Sequence, residues 1–577
     1  MLEKKLSVAR GNTRADLVLK NANVINVFTE TIERLDVAIC GDTIVGLGDY
    51  TGDREIDCTG KYVAPGFIDG HIHLESSMLK PVEFAKAVLA HGTTAVITDP
   101  HEITNVCGIS GLEYMLRASE DLPLDVYFML PSCVPATAFD ENGAVLKAAE
   151  LEGFYEQERV LGLAEVMDYT GTIQGDGDLL RKINYAKQQN RVVDGHAPGV
   201  LGKQACAYIA AGIQSDHECS DLEEAKEKYS RGQWIMIREG SAAKNLNALM
   251  GLFQAPFHQR SMLVTDDKHP YDLLEAGHLD GILRQAIENG VDPCIAIKMV
   301  TLNPATYFQL RNTGAVAPGY KADILILSGL TDLRVERVIK NGTIAAEAGQ
   351  VCPMAEPEPD QDILDRVYHS FHCKELTPAD FMVKLDKEPV QPDSLRVIQL
   401  LEGEILTKEL ILPLEEDEPG ALVEEDLLKL AVIERHHNTG HIGIGFIHGY
   451  GLKQGAIASS VAHDSHNIIA VGTNDGDLAA AANCIRQMQG GWVIVRDGEI
   501  LAKLPLPIAG LMSELDAQTL ASEVRGLQAV ARKLGVKEGI DPFLTLAFVS
   551  LPVIPELRLI TTGLFNVGAQ RLVPLIL

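Results

Sequence analysis

The sequence predicts an α/β protein, and three observations along the chain support this class. Short apolar segments alternate with helical segments from about residue 66 to residue 267, which is typical of repeated βα units around a parallel sheet. Eight such units fit into about 240 residues, the usual size of a TIM (β/α)8 barrel. Several of the apolar segments end in His, Asp or Glu. Together these features predict a barrel with polar groups at the ends of its strands.

The eight predicted strands follow one another as short apolar runs. They cover 66–73, 93–99, 126–131, 160–167, 192–196, 212–217, 233–238 and 261–266. Helical stretches fit between most of them, most clearly at 81–90 and 221–229. In this architecture the chemistry lies at the carboxyl ends of the strands, so the polar strand ends are the candidate site.

β structure is also predicted on both sides of the barrel. Residues 15–26 alternate in part, and Gly41-Asp42 stands between two apolar runs, which is a hairpin pattern. After Asn303-Pro304 the apolar run 322–327 and a second hairpin at Asn341-Gly342 repeat this pattern. We expect the two flanking segments to build one small β-sandwich domain.

Composition places a further boundary near residue 360. The stretch 354–362 is Pro-rich and acidic, which is typical of a linker. Beyond it, an Asp497-Gly498 hairpin and a helix near 519–534 predict a separate C-terminal α+β domain. The predicted domains are therefore the discontinuous sandwich 1–62 with 309–352, the barrel 63–308, and the C-terminal domain 363–577.

Charge and composition favour a small-molecule substrate. The chain has 50 Lys and Arg against 80 Asp and Glu, a net charge of −30, which argues against nucleic acid or an anionic membrane as a partner. No apolar run approaches the roughly 18 residues of a membrane helix. The first residues are charged and polar rather than an apolar signal core. Ten scattered Cys without CxxC pairs predict reduced thiols and a cytoplasmic location.

His71 and His73 end the first predicted strand. Residues i and i+2 of a strand point the same way, so the two imidazoles converge as metal ligands do. An isolated HxH also arises by chance, as two polar residues at a strand end. Four further strands carry possible ligands at or near their ends, namely Glu165, His196, His217 and Asp266. Each alone is explained as well by a structural role, but their joint placement predicts a metal centre.

The barrel region resembles the amidohydrolase superfamily, in which a metal-dependent barrel interrupts a small β-sandwich. The resemblance covers residues 60–350. It implies two His after strand 1, a bridging residue on strand 4, one His each on strands 5 and 6, and an Asp on strand 8. These are His71, His73, Glu165, His196, His217 and Asp266. Glu165 stands where many binuclear members carry a carboxylated Lys, which argues against hydantoinase and dihydroorotase types.

Longer motifs narrow the resemblance to the bacterial adenine deaminases. They are GFIDGHIHLESSM, TDPHEITNVCG, AEVMDY, DGHAPG and SDHE in the barrel, and residues 434–475 in the last domain. The resemblance implies hydrolytic deamination of adenine to hypoxanthine and ammonia, in purine salvage, at a binuclear Mn²⁺ site. Fe²⁺ and Zn²⁺ are alternatives, because His and carboxylate ligands suit all three cations. We expect a homo-oligomer, either a dimer or a tetramer.

This chemistry assigns candidate roles. Asp266 is expected to bind metal, accept a proton from the nucleophilic water and pass it to the leaving amine. Asp267 is a weaker alternative, because neighbouring strand residues face opposite ways. A carboxylic acid with a raised pKa would protonate N1 of the purine, and the candidates are Glu218, Glu75 and Glu102. Each of the three could instead orient a ligand His.

Two further residues complete the predicted site. His101 follows the second strand and could likewise act in catalysis or orient a ligand His. Arg238 lies at the end of the seventh strand, where it either contacts substrate or pairs with Glu239. We expect Glu218, Glu102 and His101 to act with Asp266 in catalysis. We expect Glu75 and Arg238 to contact the substrate.

The C-terminal domain contains a cluster of histidines. It comprises His436, His437, His441, His448, His463 and His466, with Asp464. One interpretation is a segment that covers the barrel mouth, excludes water or binds a further metal. The other is a structural polar cluster between domains. Two rival functions also remain: an amidohydrolase acting on a cyclic amide or another 6-substituted purine, and a non-catalytic scaffold, which should have lost ligands.

Overall fold

A computed structural model describes residues 2–383, 394–413 and 423–577. Before the barrel the chain forms a helix and five strands. They are α1 (Leu2–Ala9), β1 (Ala15–Asn26), β2 (Thr31–Cys40), β3 (Thr43–Gly48), β4 (Gly52–Asp57) and β5 (Tyr62–Pro65). β2 and β3 form the hairpin predicted at Gly41-Asp42. The helix α1 was absent from the sequence prediction, and it packs beside β2 and β3.

Eight parallel strands form the barrel at the positions that the sequence predicts. They are β6 (Phe67–Ile72), β7 (Thr93–Thr98), β8 (Asp125–Leu130), β9 (Val160–Val166), β10 (Val192–Gly195), β11 (Ser215–Asp216), β12 (Trp234–Arg238) and β13 (Ser261–Val264). Ladders join β6 through β10 and β11 through β13. Backbone bonds close both gaps: Asp266 N donates to His71 O at 3.0 Å, and Gln214 N donates to Val193 O at 2.9 Å.

Helices surround the barrel. They are α2 (Pro81–Leu89), α3 (His101–Cys107), α4 (Ile109–Ala118), α5 (Ala148–Leu151), α6 (Tyr169–Gln174), α7 (Gly177–Gln188), α8 (Gly202–Ala211), α9 (Leu222–Ser230), α10 (Pro270–Glu275), α11 (Leu279–Glu288), α12 (Pro293–Lys298) and α13 (Leu302–Tyr307). α2 and α9 confirm the two clearest helix predictions. α9 begins where Asp221 caps the backbone N–H groups of Glu223 and Glu224. Inside the barrel, Ile68, Ile97 and Met262 share one buried apolar cluster.

Four strands after the barrel rejoin the N-terminal strands. They are β14 (Ile324–Leu327), β15 (Val335–Lys340), β16 (Thr343–Glu347) and β17 (Gln350–Val351). The expected sandwich takes the form of one nine-stranded sheet, because β14 pairs antiparallel with β5 and makes the pairing continuous. An isolated antiparallel β-bridge between Thr43 and Lys321 also connects β3 with the segment just before β14. The domain limits given above stay a prediction.

The C-terminal part is rich in sheet. Its elements are α14 (Gln361–Tyr368), β18 (Ser394–Leu400), β19 (Thr407–Pro413), β20 (Leu427–Ile433), β21 (Ile442–His448), β22 (Ala456–Ser459), β23 (Ile468–Gly472), α15 (Asp475–Met488), β24 (Gly491–Arg496), β25 (Glu499–Pro505), α16 (Ala517–Lys533), α17 (Leu544–Val549), β26 (Leu557–Ile560), β27 (Gly563–Asn566) and β28 (Arg571–Leu572). β18 to β25 form an eight-stranded sheet, and β26 to β28 form a three-stranded one.

Two sequence predictions in this part are confirmed, and the linker over 354–362 stays a prediction. Residues 353–360 contain neither helix nor strand, whereas Gln361 and Asp362 already belong to α14. β24 and β25 pair around the Asp497-Gly498 turn, and α16 matches the helix predicted near 519–534. None of the helices in the described ranges is long and apolar enough to cross a membrane.

Candidate active site

The six predicted ligands converge at the carboxyl ends of the barrel strands. His71 lies on β6 and His73 directly after it, and Glu165 lies on β9. The other three follow β10, β11 and β13; they are His196, His217 and Asp266. All except the partly exposed His196 are buried. The imidazole and carboxylate groups lie within a few ångströms of one another, although they come from five different strands.

Glu165 stands at the centre of this group. Its Oε1 lies 3.2 Å from His73 Nε2. Its Oε2 lies 2.7 Å from His196 Nδ1 and 3.2 Å from His217 Nε2. The two carboxylate oxygens thus face different histidines, which is the arrangement that a carboxylate needs to bridge two cations.

Asp266 completes the group. Its Oδ1 lies 3.2 Å from His73 Nε2 and 3.5 Å from His71 Nε2. His71 Nε2 is buried and has no hydrogen-bond partner within the described residues. A buried imidazole nitrogen without a partner, aimed at carboxylates, fits a metal ligand. The donor set of nitrogen and oxygen suits divalent first-row cations.

The histidines are held by groups behind them. His73 Nδ1 lies 3.1 Å from the carbonyl oxygen of Asp99. His196 N donates a hydrogen bond of 2.9 Å to the hydroxyl oxygen of Tyr208, and that hydroxyl donates to Val166 O at 2.7 Å. Such contacts fix the ring orientation of metal-binding histidines.

Arg238 and Glu218 form a partly buried ion pair beside the six residues. The guanidinium donates to both oxygens of Glu218, with Nη2 at 2.8 Å from Oε2. Burial alone would raise the pKa of Glu218, but the charges of Arg238 and His196 hold this pKa well below its ordinary value. Glu218 therefore stays ionised and is a poor proton donor. Arg238 pairs with Glu218 and Asp266 and not with Glu239, which accepts from Leu246 N instead.

His101 and Glu102 begin helix α3 and reach towards the C-terminal domain. His101 Nδ1 lies 3.1 Å from Asp99 Oδ2, and its Nε2 lies 3.5 Å from Glu102 Oε1. The Glu102 carboxylate contacts ring nitrogens of His463 and His466. Burial opposes ionisation of Glu102, but the neighbouring histidines, His463 foremost, hold its pKa well below the ordinary value.

Glu75 lies behind the site and does not line the cavity. After β6 the chain turns into a short 3-10 helix at Leu74–Ser77, so Glu75 does not continue the strand that carries His71. Its Oε1 accepts from Ile103 N at 3.2 Å, and its Oε2 is buried without a partner among the described residues. Burial raises the pKa of Glu75 to about 7.

Asp267 lines the cavity together with Asp266. The alternation rule predicted that these neighbours face opposite ways, and here it does not apply. β13 ends at Val264, and Asp266 has a φ of 58°, a left-handed backbone that is uncommon for residues other than glycine. This local geometry turns both carboxylates to the same side.

A cavity of about 160 Å³ lies over the six residues. Its floor belongs to the barrel. Its roof belongs to the C-terminal domain and consists of Ile405, Leu406, His463, Asp464, Phe548, Leu551, Val553, Ile554 and Pro555. Sequence reasoning had pointed to His463 and Asp464 and missed the others, because their apolar side chains carry no chemical signal.

Arg558 holds this roof together. Its side chain is fully buried, and the guanidinium donates only to backbone carbonyl oxygens. The acceptors, with distances, are Phe548 at 3.2 Å, Ile554 at 2.6 Å, Pro555 at 2.7 Å and Ile405 at 2.9 Å. All four acceptor residues line the cavity. One buried side chain thus fixes the backbone of two separate roof segments.

The C-terminal histidines do not converge on a single point. His463 and His466 reach Glu102 of the barrel. His436 Nε2 lies 2.7 Å from Ser465 O, and His437 Nε2 lies 2.8 Å from Asn142 O. His441 is exposed and pairs with Glu141. The predicted cluster therefore divides into a pair that binds Glu102, of which only His463 lines the cavity, and others with separate contacts.

Known proteins match the chain over both parts. Residues 62–345 match the amidohydrolase family, and residues 404–571 match the adenine deaminase C-terminal domain. The protein "Adenine deaminase 2" of Carboxydothermus hydrogenoformans is 46% identical over 571 residues, which cover 99% of this chain and 98% of that protein. An adenine deaminase of Clostridium acetobutylicum is 46% identical over 569 residues, 98% of either chain.

The chain belongs to the adenine deaminase family. A third member, the adenine deaminase of Kosmotoga olearia, is 46% identical over 576 residues. These cover 99% of this chain and 98% of that protein. The amidohydrolase match implies a divalent metal, and the converging histidines and carboxylates supply suitable ligands. Membership of this family therefore confirms the resemblance to bacterial adenine deaminases and the α/β barrel fold class that the sequence predicts.

Proposed function

We propose that the cavity converts adenine to hypoxanthine and ammonia by hydrolytic deamination. The observation that carries this proposal is the carboxylate of Glu165, whose two oxygens face different histidines beneath the cavity. The names of the three relatives described above support adenine as substrate. The apolar roof suits a flat, neutral base better than a charged substrate.

The residues for two divalent cations are His71, His73, Glu165, His196, His217 and Asp266. We propose Mn²⁺ as the cation, with Fe²⁺ and Zn²⁺ as alternatives, because mixed imidazole and carboxylate ligands bind all three. Two cations bound here would lower the pKa of water towards neutrality and so make it a nucleophile.

Asp266 moves the protons of the reaction. Its carboxylate accepts the proton of the attacking water and returns it to the exocyclic amine, which leaves as ammonia. Arg238 holds Asp266 in place through Oδ2. Glu218 stays ionised against Arg238, so it balances the charge of that side chain. Among the apolar residues of the roof, Phe548, Leu551 and Ile554 exclude bulk water above the base.

Cellular context follows from the same assignment. We propose that the protein is a cytoplasmic homo-oligomer, a dimer or a tetramer, that serves purine salvage. The net charge of −30 supports the absence of nucleic acid or membrane partners.

The test is substrate profiling of protein from which metal has been removed and then restored. Ammonia release from adenine should vanish on chelation and return with Mn²⁺. Hydantoin and dihydrouracil serve as cyclic-amide controls and should remain intact. Ring opening of either compound, without ammonia from adenine, would replace the proposal with the cyclic-amide alternative.

A further inference from the structure

His463 belongs to the C-terminal domain, yet its imidazole lines the cavity above the barrel. Its ring stacks on Phe548 of the roof, with centroids 4.6 Å apart and planes 21° from parallel. Its backbone N donates to Ala547 O at 2.8 Å. The side chain is only 7% exposed. These contacts hold the imidazole in one position at the edge of the space available to a substrate.

The protonation of the neighbouring His466 follows from its backbone contact. Ala462 N donates to His466 Nδ1 at 3.2 Å, so Nδ1 carries no proton. The proton of a neutral ring then lies on Nε2, which contacts Glu102 Oε2 as a donor. A cation on Nε2 would compete with this arrangement. The group Glu102, His463 and His466 is therefore a hydrogen-bonded chain rather than a further metal site.

Glu102 accepts a second hydrogen bond through its other oxygen. His463 Nδ1 contacts Oε1, and an ionised carboxylate has no proton to give, so Nδ1–H is the donor. This leaves His463 Nε2, which has no hydrogen-bond partner within the described ranges and is not among their buried, unpartnered atoms. Since the ring lines the cavity, Nε2 is the atom available to a substrate.

The charges around His463 favour its cationic form. Burial lowers the pKa of His463, but the charge and hydrogen bond of Glu102, with the charges of Asp267 and Asp464, raise it to about 9. The opposing neighbours are His466 on the same loop and His269 on the barrel side. At neutral pH the ring therefore carries a proton on both nitrogens.

The three carboxylates predicted as donors to N1 are unsuited to that role. Glu218 is locked against Arg238. Glu102 accepts from two histidines. Glu75 lies outside the cavity wall. A proton is nevertheless needed at N1 when C6 becomes tetrahedral, because the ring nitrogen would otherwise carry a full negative charge.

We propose that His463 Nε2–H is the acid that protonates N1 of adenine, and that Glu102 and His466 are its positioning residues. The proposal rests on the function proposed above. As the water oxygen bonds to C6, the N1=C6 electron pair moves to N1 and takes the proton of Nε2. Asp266 then protonates the amine, the C6–N6 bond breaks, and ammonia leaves as the C6 hydroxyl gives its proton to Asp266 and becomes the C6=O group. The N1 proton stays in hypoxanthine, and the proton on Asp266 passes through solvent to His463, which restores both groups.

The principal test compares His463→Gln with wild type in the Mn-loaded enzyme. Glutamine keeps a polar side chain without an acid near neutral pH, so kcat should fall by about 10²–10³-fold. The KM for adenine should change by less than about 3-fold, and bound metal should equal that of wild type. The matched control is His441→Asn on the exposed side of the same domain, which should keep the wild-type kcat.

The pH dependence provides a second test, which also serves if His463→Gln fails to fold. The wild-type kcat should decline on the alkaline side with a pKa near that of His463, about 9. Glu102→Gln removes the main group that raises this pKa, so the decline should begin at lower pH. Two results would overturn the acid role. One is a raised KM with unchanged kcat in His463→Gln. The other is an alkaline decline of kcat that begins at the same pH in Glu102→Gln as in wild type. Wild type inactive on adenine would instead refute the proposed function.

Discussion

Arg238 donates a hydrogen bond of 3.0 Å to Oδ2 of Asp266, while Oδ1 of the same carboxylate faces His71 and His73. The two oxygens thus have separate partners. Arg238 also binds Glu218, so one guanidinium holds two carboxylates in register with the histidines. A charge-assisted pair of this kind fixes orientation more strongly than a neutral hydrogen bond does.

Replacing Asp266 by Asn should remove the proton carrier. We expect kcat for adenine to fall by about 10³-fold or more, measured as ammonia release by the Mn-loaded enzyme. Asp267→Asn is the matched comparison, because Asp267 lines the same cavity but accepts a hydrogen bond from Ser76. The fall in kcat of this variant should be much smaller. Substantial turnover by Asp266→Asn would rule out the proposed role.

Replacing Glu165 by Gln should reduce metal occupancy. An amide offers one oxygen ligand without charge, so it cannot bridge two cations as a carboxylate does. We expect the metal content per chain to fall from two towards one or less, measured by mass spectrometry of the purified protein. Glu75 is a buried carboxylate away from the cavity wall, so the Glu75→Gln variant should retain two metal ions per chain. Full binuclear loading of Glu165→Gln would count against the bridge.

Replacing Arg558 by Met should loosen the roof while leaving the barrel ligands untouched. Four roof carbonyls would lose their buried donor, at a cost of at least about 2 kcal/mol in the free energy of unfolding. We expect the KM for adenine to rise by roughly 10-fold with unchanged metal content. Arg532→Met, which removes a guanidinium from the carbonyl of Lys537 on the surface, should leave KM as it is. An unaltered KM in Arg558→Met would show that the roof does not bind the base.

Asp140 predicts a pH-dependent stability. Burial and the charge of Asp464 raise the pKa of Asp140 to about 8. A carboxyl that is harder to ionise when folded destabilises the native state as pH rises from the unfolded value of about 4 through the folded value. Asp140→Asn removes this penalty, so its melting temperature should exceed that of wild type at pH 8 to 9. The difference should shrink towards pH 5, and a difference independent of pH would contradict the assignment.

The sequence was sufficient for the barrel and for the six residues at its strand ends. Buried parallel strands are near-continuous apolar runs, and their polar ends stand out against them. His71 and His73 could be paired because the spacing of two residues fixes a common direction. The helices α2 and α9 were predictable from local signals, Pro81 at the first position of α2 and the Asp221 cap of α9.

Contacts between distant segments escaped prediction for a physical reason. His463 and Glu102 lie 361 positions apart in the chain, and no local periodicity relates such residues. The roof residue Phe548 and the buried Arg558 gave no signal, because their role depends on how the C-terminal domain sits on the barrel. Asp267 was placed wrongly by a rule that holds only inside a regular strand, and β13 ends before it.

The roof has a consequence for the order in which the protein matures. The six residues proposed to bind metal have all been synthesised once residue 266 has been made, whereas the roof includes Phe548, Ile554 and Pro555. Domains generally fold in order during synthesis. A nascent barrel would therefore present its histidines to solvent until the segment up to Pro555 has been translated. Enzymatic competence is thus expected to arrive only with this roof segment, as the cavity is covered.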